Sequence, residues 1–331
     1  MSKKILITGS NGFVGSYLVE ESIRQGYNVF AGIRKSSNKQ YLLDPRINFF
    51  YYDFENEDNL REKLRSHHFD FIVLNAGITR APDKETYFKV NAGYTRKFCK
   101  ILIEENVIPE KLVFISSLAA YGPADYQKEQ ILTSDSVPHP NTWYGESKLQ
   151  AEQFLESFNS IPSLIFRPTA VYGPRDVDFV TVYKTIKSGI EPKIGLGKQE
   201  LSFIYVKDLA NLIINALSSQ HSNKGYFVSD GTVYSSYEYN LLLKSVLSRK
   251  NTLKLTIPIS FLRLAAFLNE GIGYINGEYP VLNRNKVNEL KARSFAIDVK
   301  DLKNDFNFAP VYDLRKGLDE TIEWCKLNKL L

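Results

Sequence analysis

Residues 4–15, Lys4-Ile5-Leu6-Ile7-Thr8-Gly9-Ser10-Asn11-Gly12-Phe13-Val14-Gly15, restrict the fold more than any other stretch of this 331-residue chain. A short apolar run leads straight into glycines spaced G-x-x-G-x-x-G, and an amphipathic stretch follows over Phe13–Arg24. Strand, tight turn and helix is the local structure this pattern demands. Gly9 suits the turn, Gly12 lets a pyrophosphate approach the backbone, and Gly15 lets the helix lie close to the strand. The helix N-terminus then offers free N–H groups and the positive end of its dipole. Gly9, Ser10, Asn11, Gly12, Phe13, Val14 and Gly15 are expected to hold a dinucleotide; a glycine-rich turn without a ligand is the alternative.

The rest of the first half repeats the theme. Strands are expected at Asn28–Ile33, Asn48–Tyr52, Asp70–Leu74, Lys111–Ser116 and Ser163–Phe166, and helices at Asp58–Arg65, Thr86–Glu105 and Trp143–Phe158. Alternating strands and helices imply βαβ units and an α/β, Rossmann-type, doubly wound parallel sheet. After Pro174 the segments become mixed: a strand at Leu201–Val206, a helix at Lys207–Leu217, a strand at Tyr226–Ser229, and helices at Ile259–Leu268 and Leu314–Leu327. The expected plan is a nucleotide-binding domain over 1–174. A smaller C-terminal substrate lobe follows over 175–331, with some segments returning to the first domain.

Composition excludes several classes. Hydrophobic residues make up 44% and charged residues 24%, ordinary for a globular chain. Two cysteines, Cys99 and Cys325, and four scattered histidines give neither a disulfide framework nor a metal-ligand pattern. No metal is expected. Signal-peptide and membrane-spanning patterns are missing, so a cytoplasmic location is expected. The net charge of +5 suits a mildly basic face or attraction to an anionic surface; no nucleic-acid motif accompanies it.

The second strand ends Ile33-Arg34-Lys35-Ser36. An acid at this point bonds the ribose 2′-hydroxyl of NAD, whereas cations suit a 2′-phosphate. Ile33 followed by Arg34 and Lys35 therefore points to NADP(H), unless the two cations are merely solvated. Asp53 either accepts from the adenine amino group or serves as a turn residue.

Tyr144-Gly145-Glu146-Ser147-Lys148 opens a helix, and residues four apart share one face. A tyrosine ordinarily titrates near 10, so working at neutral pH asks for roughly 3 units, about 4 kcal/mol. Lys148 and a cationic nicotinamide are the kinds of neighbour that lower it. Ser117 is placed to hold the same substrate oxygen, which makes Ser117, Tyr144 and Lys148 the catalytic candidates.

Together these residues resemble the extended short-chain dehydrogenase/reductase superfamily, in its NAD(P)-dependent epimerase/dehydratase form. Leu74-Asn75-Ala76-Gly77 looks like the fourth-strand motif bordering the cofactor. Phe114–Gly122 resembles the serine strand, Arg167–Pro174 the sixth-strand segment, Phe203–Ala210 the later strand-to-helix motif, and Gly317-Leu318 with Trp324 the closing helix. The resemblance adds Asp53, Phe54, Asn75, Ala76, Gly77, Asn91, Pro168, Thr169 and Val171 to the cofactor-binding set, with Tyr144 and Lys148 touching both cofactor and substrate. It also implies a homodimer through the helix carrying Tyr144.

Two departures direct the functional expectation. Nucleotide-sugar members of the family carry an arginine before the Phe-Ile-Tyr-Val strand and often an asparagine in the sixth-strand motif. Here those positions hold Leu201 and Ala170. A diphosphate without its cation forgoes bonds of roughly 1.5–3 kcal/mol each. The chain thus looks nearer the hydroxysteroid dehydrogenase and dihydroflavonol reductase branch. It is expected to be an NADP(H)-dependent oxidoreductase on an apolar ketone or alcohol, such as a long-chain 3-keto sphingoid lipid or a steroid-like ketone. A nucleotide-sugar epimerase or dehydratase is the alternative. The segment Pro258–Leu268, whose one charge is Arg263, reads either as a packed helix or as a wall facing lipid, with peripheral membrane contact as the consequence.

Overall fold

The computed structural model describes residues 2–128, 130–195, 197–276, 280 and 282–331, apart from side chains at 272–276. Its centre is a seven-stranded sheet built from β1 (Lys4–Thr8), β2 (Asn28–Ile33), β3 (Asn48–Tyr51), β4 (Phe71–Leu74), β5 (Lys111–Ile115), β6 (Ser163–Pro168) and β7 (Lys224–Val228). The order is β7-β6-β5-β4-β1-β2-β3, and every pairing is parallel. Strands buried on both faces read as unbroken apolar runs. Ile5, Leu6 and Ile7 are accordingly fully buried, and two hydrophobic clusters cover the two faces of the sheet. The strand order reverses between β1 and β4, which opens a crevice beyond their carboxyl ends, where ligands bind in such sheets.

Three expected elements differ in detail. The stretch Thr86–Glu105 is not one helix. Lys84–Tyr87 and Tyr94–Glu104 are α-helical, and Phe88–Gly93 between them forms a π turn. The extra residue that such a turn accommodates re-aims the side chains beyond it. Leu201–Val206 is not one strand either. Glu200–Leu201 pairs antiparallel with Tyr234–Ser235, while Phe203–Tyr205 pairs in parallel with Ala170–Tyr172. The apolar helix runs farther than Leu268, over Ile259–Asn276. A ribbon that the sequence did not suggest joins Ile190–Ile194 to Leu253–Ile257 in parallel. No helix among the described residues is long and apolar enough to cross a membrane.

Candidate active site

The glycine turn is assembled by contacts that leave no room for side chains. Gly9 has φ +65°, and a Cβ there would meet Ala76 Cα at 2.9 Å. At Gly15 a Cβ would lie 2.1 Å from the Gly9 carbonyl oxygen. Thr8 Oγ1 accepts from the Asn75 and Ala76 N–H groups, both at 3.0 Å, and Asn75 Nδ2 donates to Gly9 O at 3.3 Å. These bonds fix the ends of β1 and β4 to one another. The helix Phe13–Arg24 begins at Gly12 with no side-chain cap, and Gly12 itself is exposed. That cradle fits a pyrophosphate. Ser10 is an exception among the predicted ligands: it is fully buried, its hydroxyl donates to Ile7 O at 2.6 Å, and its N–H bonds Gly32 O.

At the end of β2, Ile33 is buried while Arg34 and Lys35 are exposed. Asp53 accepts from the Glu55 N–H at 2.9 Å, the turn role. Phe54 stacks on Tyr94 with ring centroids 4.4 Å apart. Thr169 is buried and its hydroxyl donates to Val228 O at 3.1 Å; Pro168 pairs with Val228 in the sheet. Val171 packs against the core.

The π turn places Asn91 where three segments meet. Asn91 Oδ1 accepts from Ile78 N–H at 2.8 Å, and Nδ2 donates to Ile78 O and to Ser147 Oγ, both at 3.0 Å. A Cβ at Gly77 would lie 2.9 Å from Asn91 Oδ1 and 3.5 Å from Lys148 Nζ. The turn after β4 and the helix carrying Ser147 and Lys148 are thereby held to a common point.

Helix Trp143–Ser157 starts at Thr142, whose hydroxyl accepts from Gly145 N–H. Gly145 packs on the Ser117 turn so closely that a Cβ would be 2.1 Å from Ala119 O. This brings Tyr144 within hydrogen-bond reach of Ser117. Burial pushes the Tyr144 phenol up to about 12; the Ser117 hydroxyl pulls it down part of the way, and the Glu289 carboxylate pushes it up. Lys148 is 4% exposed, its Nζ donates to Ile115 O at 2.7 Å, and burial brings it down to about 8 against the pull of Glu152. In the chain by itself burial, rather than Lys148, sets the direction of the Tyr144 shift. The ammonium is aimed at the end of β5, and burial dominates both groups.

Sequence reasoning overlooked Glu152, which continues the Tyr144–Lys148 face by one more turn. Glu152 and Arg167 form a buried pair, with Arg167 Nε and Nη2 donating at 3.0 and 2.9 Å and the Ser116 hydroxyl donating to the same carboxylate. The i, i+4 spacing from Lys148 was the signal available. It also overlooked Arg293. This exposed guanidinium lies 4.5 Å over the Tyr126 ring and packs on the Gly197 backbone. It lines two clefts, of about 610 and 350 Å³. Helix Arg284–Leu290 connects this region to the catalytic helix: Asn285 Oδ1 accepts from the Trp143 N–H at 3.0 Å. No group of three or more acidic, histidine or cysteine side chains able to hold a metal occurs among the described residues.

Comparison with known proteins accords with this geometry. The family model described as NAD dependent epimerase/dehydratase family matches residues 5–228. A UDP-glucose 4-epimerase of Vibrio cholerae is 27% identical over 98% of this chain and 95% of its own length. The N-acetyl-alpha-D-glucosaminyl-diphospho-ditrans,octacis-undecaprenol 4-epimerase of Escherichia coli O157:H7 is also 27% identical, over 98% of this chain and 96% of its own. Among solved structures, the UDP-glucose 4-epimerase of Thermotoga maritima with UDP-glucose superposes with a TM-score of 0.80 at 21% identity, covering 98% of this chain and 99% of that one. The glycine turn and the grouping of Ser117, Tyr144 and Lys148 accompany a family match over residues 5–228: the protein belongs to the NAD dependent epimerase/dehydratase family.

Proposed function

We propose that the chain is an epimerase or dehydratase acting on a diphosphate-linked sugar. The observation that carries this reading is Arg293. The segment holding it runs beside the position where sequence reasoning found a cation missing: Glu200 N–H donates to Arg293 O at 2.8 Å, and Phe295 N–H donates to Glu200 O at 3.0 Å. Arg293 thus stands one chain crossing from Leu201. Its guanidinium has no ion pair or hydrogen bond among the described residues, and it opens onto both clefts. A planar cation with free donors suits a diphosphate. The two curated relatives described above act, by their names, on diphosphate-linked sugars.

The uncapped turn Gly9–Gly15 would hold the pyrophosphate of the nucleotide, and Gly77 and Lys148 would border its nicotinamide half. When bound, the nicotinamide supplies or accepts the hydride. Tyr144 gives a proton to the substrate oxygen or takes one from it, Ser117 orients that oxygen, and Lys148 presents a positive charge beneath them. The exposed cations Arg34 and Lys35 would favour a 2′-phosphate, hence NADP(H).

One observation favours a second reading, an NADP(H)-dependent reductase of an apolar ketone such as a long-chain 3-keto lipid or steroid-like ketone. Leu201 is packed into the hydrophobic cluster of the C-terminal lobe, and Ala170 offers no polar group. The experiment is to offer purified protein UDP-sugars with NADP or NAD, and 3-ketosphinganine or a ketosteroid with NADPH or NADH. Inversion or dehydration of a sugar without net nucleotide turnover, diminished by Arg293→Ala, is expected. Stoichiometric NADPH loss with the ketone alone would establish the second reading instead.

A further inference from the structure

The ribbon and the helix that follows it are built inside out. In the ribbon, Leu253, Leu255 and Ile257 pair with Ile190, Pro192 and Ile194, so one face carries only apolar side chains. On the opposite face Glu191 turns inward, 5% exposed, and accepts from Lys244 Nζ at 2.7 Å and Thr252 Oγ1 at 2.9 Å, while Lys193, Lys254 and Thr256 of that face stay exposed. The apolar face points outward, with Leu253 71% and Leu255 49% exposed. Pro258 leads from the ribbon into helix Ile259–Asn276. There Leu262 and Ala266 are buried against Val287, with Ile194, Ile257 and Ile259 packed around them. The far side of the same helix shows Phe261, Leu264, Phe267 and Leu268, each more than half exposed. At 3.6 residues per turn these four cover an arc of about 120°.

Among the described residues of these segments and their flanks, the unpaired charge on this side has one sign. Lys198, Arg249, Lys250 and Arg263 are exposed, and none has an ion-pair partner among the described residues. The two acids of these segments, Glu191 and Glu270, are already paired with Lys244 and Arg284. An exposed apolar patch rimmed by cations marks a contact surface. A second copy is a poor occupant, because a twofold contact would set this cationic rim against itself. Phenylalanine and leucine on one side of a helix, with lysine and arginine around them, suit the interface of an anionic bilayer.

We propose that the Leu253–Ile257 ribbon edge and helix Ile259–Asn276 form a docking face for an anionic phospholipid membrane. The face borders the smaller cleft, since Ile194 and Ile259 also line it beside Arg293. A docked molecule would therefore present that cleft to substrates carried at the membrane surface. The proposal does not depend on which substrate reading holds.

The test is sedimentation of the full chain with phosphatidylcholine vesicles, with and without phosphatidylglycerol. Binding to the anionic vesicles is expected, with a loss on the order of tenfold or more on the neutral ones and at high salt. Phe261→Gln with Phe267→Gln, and separately Lys250→Glu with Arg263→Glu, should abolish it while leaving the melting temperature and turnover of soluble substrate unchanged. These are exposed positions outside the catalytic machinery. Equal sedimentation of wild type and both variants would overturn the proposal. So would a wild type that ignores anionic vesicles, including one found by light scattering to be a dimer that Phe261→Gln with Phe267→Gln converts to monomer.

Discussion

Asp176→Asn should make the protein markedly more stable above neutral pH, with a gain that shrinks steadily as the pH falls and vanishes only below about pH 4. Asp176 is 6% exposed, and its Oδ2 has no hydrogen-bond partner among the described residues. Burial pushes its carboxyl up to about 7, against the backbone N–H bonds from Asp178 and Phe179 and with the neighbouring Asp178 carboxylate pushing the same way. Unfolded, the same carboxyl titrates near its ordinary 3.8. The folded chain therefore holds an extra proton between those values. Its stabilising effect is complete below about pH 4 and lost as pH rises to about 7. Roughly three units correspond to about 4 kcal/mol. Asparagine keeps the shape and the Oδ1 acceptor for the Asp178 N–H, seen at 2.8 Å, but never ionises. Urea unfolding of both proteins at pH 5 and pH 8, followed by circular dichroism, reads the difference directly. The variant should gain a few kcal/mol over wild type at pH 8 and clearly less at pH 5. A gap independent of pH would refute the assignment of a buried, proton-holding carboxyl.

Three further outcomes follow from the site. Gly15→Ala forces a methyl to within 2.1 Å of the Gly9 carbonyl, a backbone atom that cannot step aside, so nucleotide binding measured by fluorescence titration should be lost. Tyr144→Phe removes the proton carrier, and kcat should fall by roughly 10²–10⁴ with nucleotide affinity preserved; an unchanged kcat would exclude Tyr144 from the chemistry. Glu152→Gln removes the one carboxylate that raises Lys148, so the alkaline limb of the pH–rate profile governed by Lys148 should move to lower pH. That variant also leaves Arg167 buried without its partner, at a cost of about 3–5 kcal/mol. Glu152→Gln with Arg167→Met should therefore recover stability without restoring the profile.

Features that the backbone imposes were legible in the sequence. The turn at Gly9 needs φ +65°, and Gly15 touches a carbonyl oxygen; those are requirements on residue type, so a linear pattern carries them. Buried parallel strands need unbroken apolar runs, and β1, β4 and β5 supply them. The π turn at Phe88–Gly93 was not legible, because one extra residue barely disturbs the apolar periodicity of a long helix. The split of Leu201–Val206 was hidden for a related reason. Leu201 and Phe203 are both apolar and two apart, yet they pair with different partners. In the ribbon, the alternation of Leu253, Lys254 and Leu255 predicts an inward apolar face, and the paired Glu191 inverts it. Spacing gives the proximity of Tyr144 and Lys148 along the helix, whereas burial sets the direction of the phenol's shift in the chain by itself.

The substrate half of the site is harder to read because its charges come from chain crossings rather than from a motif. Leu201 alone argues against an anionic substrate. The same strand seen with its neighbour argues the other way, because Glu200 is bonded on both sides to the segment carrying Arg293. A cation can be supplied from the adjacent segment without occupying the same position in the sequence. Under the proposed reading, Arg293, stacked on Tyr126 and resting on Gly197, is the guanidinium a diphosphate would engage. If the substrate is instead an apolar ketone, that guanidinium has nothing to bind. Arg293→Ala should then leave turnover of the ketone intact while the same change in a sugar-processing enzyme raises KM steeply. The substitution therefore separates the two readings by the direction of its effect.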